Sequence, residues 1–477
     1  MCNSFPNLKA CPVAESARKH PDAIALIAEG KMLSYSDLDR AVNACWLELQ
    51  SQDVKPEDSI VFDAVPSVDC CTLMWAIARL GAVACPLNPA LPSANREEVI
   101  ALLQPQWTYR RVSEAKRNPP PAVQAGIEKL GQSRLTSFAW DSPCFSIVMT
   151  SGSSGAPRAA AHSFDNHLQA ALAANRNMPL APGDRWLLSL PLFHVSGIAI
   201  LFRCAFAGAA VVLPEKDASL ETELTNAKAT HASLVPTQLH RLLESETGRD
   251  ALRRMKGVLL GGAPASPALI ERAYDLEIPL VCSYGMTETA AQLCATPPGA
   301  SLDTLLTSGY PLLPDTVRIG VDKGIEVCGT TLFQGYVTEA NDCHLPLTED
   351  GWFRTGDVGH FDAAGRLHVT GRADAMFISG GENIQPEEIE AALSTLPGIR
   401  RAVVVPVAHE EWGMVPAAFL DMESHNTIDA ASLRTELAKR LPRFKIPRHY
   451  LTWPADLDAG MKADRNALAE KAKRLLA

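Results

Sequence analysis

No Lys/Arg-rich block occurs in this 477-residue sequence, and its 44 Lys+Arg are outnumbered by 54 Asp+Glu. A nucleic-acid-binding surface normally leaves a basic footprint, so that class is disfavoured. The twelve cysteines include no C-x-x-C pair and no zinc-type spacing. Residues such as Cys45, Cys204 and Cys282 sit among apolar neighbours. They read as buried free thiols of a reducing compartment rather than as a disulfide framework. Long apolar runs are also missing. The longest, Val195 to Leu213, is broken by Arg203, Gly197 and Gly208, and reads as buried elements rather than a membrane span. The opening stretch MCNSFPNLKACPVAES has neither the charged start nor the apolar core of a signal peptide, so a cytoplasmic protein is expected. Internal repeats, low-complexity tracts and the Walker A pattern are absent as well.

What is present is a globular composition, 47% apolar and 21% charged. Short apolar runs (SIVFDAV, CFSIVMT, WLLSLPL, AAVVLP, GVLLGG, PLVCSYG) alternate with helical patterns at 34–50, 162–175, 237–244 and 267–276. That alternation predicts an α/β fold, a large N-terminal domain of helix-covered, mostly parallel sheets. From about 307 to 371 the strands become short and closely turned, which predicts a small β-rich subdomain. After GRAD the pattern changes again. Pro386 suits a first helical position, Glu387 and Glu388 suit the positive helix end, and Ile389, Leu393 and Leu396 form an apolar face. AVVVPV reads as a buried strand, with helices at 432–441 and 464–475. We therefore expect an N-terminal domain over 1–373 and a small, mobile α+β C-terminal domain over 374–477, with the boundary at Asp374.

The strongest chemical signal is TSGSSGAPR, Thr150 to Arg158. It follows an apolar run and precedes an amphipathic segment, so it reads as strand, Gly/Ser loop, helix. In that setting backbone N–H groups and hydroxyls can cradle phosphate oxygens. A Ser/Gly run alone is also compatible with a flexible linker. Further along come PLFHVSG (191–197), LLGGAPAS (259–266), SYGMTET (283–289), WFRTGD (352–357), GRADAMFISGGENIQPEEIE (371–390), LPRFKIPRHY (441–450) and GMKADR (460–465). These strings, in this order, resemble the motifs of the adenylate-forming superfamily, which includes acyl-CoA synthetases. The resemblance covers nearly the whole chain. It departs from the usual loop at Ser154, normally Thr, and at Arg158, normally Lys. A planar guanidinium replaces a point charge there.

The resemblance implies an AMP-forming acid–thiol ligase that uses ATP, Mg²⁺ and coenzyme A. Thr150, Ser151, Gly152, Ser153, Ser154, Gly155 and Arg158 would hold the phosphates. Gly261, Gly262 and Ala263, with Ser283, Tyr284, Gly285, Met286 and Thr287, would frame the adenine. Asp357 would accept the ribose hydroxyls, and Arg372 would donate to ribose or phosphate. Glu288 would hold Mg²⁺, and as a hard oxygen ligand it suits that ion. Lys462 would reach the α-phosphate and the attacking carboxylate. His194 would border the acyl pocket, Gly380 and Gly381 the pantetheine tunnel, and Asp374 would be the hinge between two half-reactions.

Local strings, among them PLNPALP (86–92), WLLSLPLFHVSGIAI (186–200) and HASLVPTQLHRLL (231–243), further resemble the o-succinylbenzoate–CoA ligases of menaquinone biosynthesis. That acid has a second carboxylate, for which Arg203, Ser196, Thr237 and Gln238 are candidate partners. Arg203 would be costly to bury without a partner, either the substrate or an intraprotein carboxylate. A ligase for another aryl or medium-chain acid would share every ATP motif. An inactive nucleotide-binding regulator is a reading of another class. The retention of Glu288, Asp357, Arg372 and Lys462 weighs against it. No membrane span or nucleic-acid partner is expected, and family habit makes a homodimer an expectation.

Overall fold

The computed structural model describes residues 11–110, 126–130, 142–150, 158–215, 217–338, 342–379, 382–410, 412–422, 428–454 and 464–476. Ser151 to Gly155, Gly380, Gly381 and Lys462 lie outside them.

The helix expected at 34–50 spans Tyr35–Ser51. It starts there because the Ser34 hydroxyl accepts from the Asp37 amide while the Asp37 carboxylate accepts from the Ser34 amide. Leu38, Val42 and Leu49 are buried along one stripe, and Trp46 packs at its margin.

Two large sheets carry the N-terminal part. The nine-stranded sheet has a parallel centre and antiparallel edges. Strands Arg185–Leu187, His231–Leu234, Gly257–Leu260 and Leu280–Met286 lie side by side and parallel. Beyond them Ala291–Ala295 and Tyr310–Pro311 turn antiparallel. The eight-stranded sheet likewise has a parallel centre, Trp107–Arg110, Ser59–Asp63, Val83–Leu87 and Cys144–Thr150.

Two expectations are corrected here. The Gly/Ser run does not join a strand to a helix. Cys144–Thr150 is followed by an antiparallel strand, Arg158–Ser163, with Thr150 opposite Arg158, and only then by the helix Phe164–Asn177. Alanine favours helices locally, so Ala159, Ala160 and Ala161 give no strand signal between the loop and the helical pattern expected at 162–175. All three are fully buried, and packing decides for strand. Second, GYV (335–337), inside the 307–371 span expected to form the small subdomain, is not part of it. Gly335–Val337 pairs with Arg158–Ser163 and so extends the eight-stranded sheet. The four-stranded antiparallel sheet of the subdomain is Val317–Ile319, Gly324–Val327, Phe353–Phe361 and Leu367–Arg372.

The C-terminal part is α+β as expected. Ile399–His409 and Gly413–Met422 form a long antiparallel pair, and His449–Thr452 adds in parallel. Successive residues of a strand face opposite sides. Val404 accordingly packs with Ile389 and Leu393 of the helix Pro386–Ser394, while Val403 and Val405 pack with Leu468 and Ala472 of the helix Arg465–Leu476. Arg465 reaches across to Glu387 at 3.0 Å and to Glu390 at 2.5 Å.

Candidate active site

Four of the adjacent parallel strands end at the same edge of the nine-stranded sheet. Arg185–Leu187 leads to the His194 segment, and His231–Leu234 to Thr237 and Gln238. Gly257–Leu260 leads to Gly261–Ala263, and Leu280–Met286 to Glu288. Ligands of open α/β sheets bind beyond the carboxyl ends of the strands. The topology therefore brings four motifs, separated by up to a hundred residues, to one edge.

The segment 283–292 is the hub. Ser283 Oγ donates to the Leu260 carbonyl at 3.1 Å, which fixes it beside Gly261. Gly285 lies opposite Gln292 in the hairpin, and a Cβ there would stand 1.7 Å from the Ala291 carbonyl oxygen. Only glycine permits that approach. Thr287–Thr289 is a single 3-10 turn, and Ala291 just beyond has φ 119, a region that L-residues avoid.

Beside the hub lies the first cluster. The Tyr284 hydroxyl donates to Asp357 Oδ2 at 2.6 Å. Burial, and then the charge of Asp357, push this phenol's pKa well above its ordinary value, so it remains a donor. Arg372 Nη1 donates to Asp357 Oδ1 at 3.1 Å, and Arg372 also grips Asp374 through Nε at 3.0 Å and Nη2 at 2.8 Å. Register explains the pairing, since Asp357 and Arg372 are directly opposite on neighbouring strands. Gly356, at φ 77, lets the guanidinium lie against the turn.

The second cluster holds Glu288, 8% exposed. Its Oε1 accepts from the Tyr336 hydroxyl at 2.5 Å, and the Arg158 guanidinium stands 5.0 Å from the Tyr336 ring centre. Among the described residues no three of His, Cys, Asp and Glu form a metal cage. A lone carboxylate with one oxygen taken by a neutral donor instead fits Mg²⁺, which binds through one or two carboxylates plus substrate phosphates. Behind the turn, fully buried His162 donates from Nε2 to the Thr287 carbonyl at 2.7 Å. Burial pushes its pKa down to about 4, so the ring is neutral at pH 7.

The acyl-side candidates are distributed over two helices, Val195–Ala207 with His194 at its start and Pro236–Glu244. His194 is half-buried at the start of the helix Val195–Ala207, against Phe193, and burial lowers its pKa. Ser196 and Thr237 are half-buried. Gln238 uses its side-chain oxygen to accept from the Val235 amide, capping its own helix. Arg203 is 2% exposed and lies 4.2 Å over Trp186. It donates to Asn175 at 2.9 Å, Gln292 at 3.0 Å and the Met178 carbonyl at 3.1 Å. Of its two expected partners, an intraprotein carboxylate is not found among the described residues. Burial without one pulls its pKa down to about 9.

Tyr336, His162 and Gln292 were not singled out from the sequence. Tyr336 lies within the span expected only to be β-rich, and its partner is 48 positions away. No local signal joins the two.

An adenylate-forming enzyme is the class that this fold and edge define. The AMP-binding enzyme family matches residues 13–331, and the AMP-binding enzyme C-terminal domain matches 388–458; the chain belongs to this family. It is 36% identical to the 2-succinylbenzoate–CoA ligase of Salmonella typhimurium, over 94% of each chain. To the enzyme of the same name from Escherichia coli it is 34% identical, over 95% of this chain and 96% of the relative. Among solved structures, an arginine-to-lysine variant of Escherichia coli MenE with bound OSB-AMS superposes with a TM-score of 0.81 at 31% identity, covering 99% of this chain and 100% of that one. The o-succinylbenzoate CoA synthetase of Bacillus subtilis in complex with the acyl-adenylate intermediate OSB-AMP gives 0.80 at 28% identity, over 96% and 97%. No helix among the described residues is long and apolar enough to cross a membrane.

Proposed function

We propose that this protein converts 2-succinylbenzoate, ATP and coenzyme A into 2-succinylbenzoyl-CoA, AMP and pyrophosphate through an acyl-adenylate. The observation that carries the reading is full-length similarity to ligases of that name, at 31–36% identity, joined to the intact clusters around Glu288 and Asp357. In the first half-reaction a substrate carboxylate oxygen attacks the α-phosphorus and pyrophosphate leaves. Positioning and charge neutralisation dominate such a step. Tyr284 stacks on adenine and Asp357 accepts from the ribose hydroxyls. Arg158 and the 150–155 segment hold phosphate, and Lys462 stands at the reacting carboxylate. Bound Mg²⁺, held by Glu288, supplies charge neutralisation on the triphosphate. In the second half-reaction the thiol of coenzyme A displaces AMP. Asp374 is the hinge between the 1–373 and 374–477 domains, and Gly380 and Gly381 shape the pantetheine path. A homodimer in the cytoplasm completes the proposal, on family habit and the free cysteines.

The test is pyrophosphate release with ATP, Mg²⁺, coenzyme A and a panel of o-succinylbenzoate, benzoate, cinnamates and octanoate. A preference for o-succinylbenzoate supports the reading, preference for another acid removes the substrate assignment, and silence with every acid removes the activity.

Two variants probe its parts. Arg203→Met is expected to raise KM for o-succinylbenzoate about tenfold or more, as loss of a charged donor does, with KM for ATP nearly unchanged. An unchanged KM for the acid would remove Arg203 from the pocket. Asp374→Pro is expected to lower full turnover about tenfold more than pyrophosphate exchange, because it stiffens the segment that must turn between steps. Asp374→Asn keeps that backbone free and separates hinge stiffness from loss of the Arg372 contact. Equal loss of exchange and turnover in Asp374→Pro would remove the hinge role.

A further inference from the structure

Tyr336 lies on Gly335–Val337, the strand hydrogen-bonded to the one that leaves the glycine-rich segment. It is opposite Ala160, two residues from Arg158. Three contacts converge there. Its hydroxyl donates to Glu288 Oε1 at 2.5 Å. Its ring lies 5.0 Å from the Arg158 guanidinium, within cation–π range. The Phe333 amide, three residues earlier, donates to the Glu288 carbonyl at 2.8 Å, so one short segment holds Glu288 by both side chain and backbone. That segment is itself fixed, because Asn166 Nδ2 donates to the carbonyls of Thr330 and Leu332 at 2.8 and 2.9 Å. The Tyr336 ring packs edge-on against Phe333 with centroids 4.8 Å apart.

We infer that Tyr336 is a positioning residue for adenylation: its hydroxyl orients the Glu288 carboxylate for a divalent cation, and its ring seats the Arg158 guanidinium. The inference rests on the acyl-adenylate reading above. It also gives the arginine at 158 a physical reason. A planar guanidinium stacks on an aromatic face, where a lysine ammonium would sit as a strongly hydrated point charge.

The experiment compares the full-length protein with Tyr336→Phe, which removes one oxygen and keeps the ring. ATP is titrated calorimetrically in Mg²⁺ and in EDTA. In EDTA the two proteins are expected to bind ATP alike. In Mg²⁺ the variant is expected to bind about tenfold more weakly, the loss typical of one charge-assisted hydrogen bond. The Mg²⁺ concentration that half-saturates pyrophosphate exchange is expected to rise by a similar factor. Acyl transfer from supplied acyl-adenylate to coenzyme A is expected to stay near the original rate. In a Glu288→Gln background the substitution is expected to add almost nothing, because the two groups act as one unit. Equal Mg²⁺ dependence of the two proteins, or full additivity with Glu288→Gln, would overturn the inference. If Tyr336→Phe does not fold, Glu288→Gln and Arg158→Lys are titrated instead, and Mg²⁺-dependent ATP binding unchanged in both overturns it. If the original protein shows no acid-dependent exchange, the functional reading fails, while calorimetry still judges the role of Tyr336.

Discussion

Lys462→Ala is expected to lower acid-dependent ATP–pyrophosphate exchange by about 10²–10³, the usual loss when one preorganised donor to developing charge is removed. Thioester formation from supplied acyl-adenylate should be nearly unchanged, because the bond to the α-phosphate has then already formed. The two half-reactions must be measured separately, since their product alone would hide the asymmetry. Equal loss in both would place Lys462 outside the chemistry. Lys462 belongs to the GMKADR string and lies outside the described residues.

Asp357→Ala is expected to raise KM for ATP by about 10–100-fold, with KM for the acid changed little, since hydrogen bonds to charged groups contribute about 1.5–3 kcal/mol. The structure sharpens this expectation. Asp357 is not a turn residue with one duty, because it accepts from both the Tyr284 phenol and Arg372. Removing it leaves a buried hydroxyl without that acceptor and frees Arg372 on one side, so adenine and ribose contacts weaken together. Asp357→Asn separates the two effects, keeping an acceptor for Tyr284 while deleting the charge that holds Arg372. An unchanged KM for ATP in both variants would remove Asp357 from nucleotide binding.

Much of the fold was legible because the motifs lie where strands end. The runs at 144–149, 257–260 and 280–286 became strands, and the helix expected at 34–50 from its apolar side formed over Tyr35–Ser51. The hairpin after the Gly/Ser segment was not legible. Ala159 to Ala161 are good helix formers, and their burial against a neighbouring strand cannot be read locally. The destination of the GYV strand was hidden for a similar reason, since its partner is about 175 positions earlier in the chain. Site chemistry divides in the same way. Glu288, Asp357 and Arg372 announce themselves within short strings. Tyr336 and His162 touch those strings only through long-range contacts and leave no trace in spacing. Arg203 stood out as a charge in an apolar run, and it is buried; its neutral acceptors, Asn175 and Gln292, are far apart in sequence.

The path of the chain between 317 and 372 also limits which parts can swing. It enters the antiparallel sheet at Val317–Ile319, leaves to pair with the eight-stranded sheet at Gly335–Val337, and returns at Phe353–Phe361. The sheet is thus stitched to the body twice, and rotating it would tear the Gly335 and Tyr336 pairings with Ala161 and Ala160. It behaves as a fixed bearing. The proposed hinge, Asp374, lies just beyond this sheet on the C-terminal side of Arg372, and is held by that guanidinium.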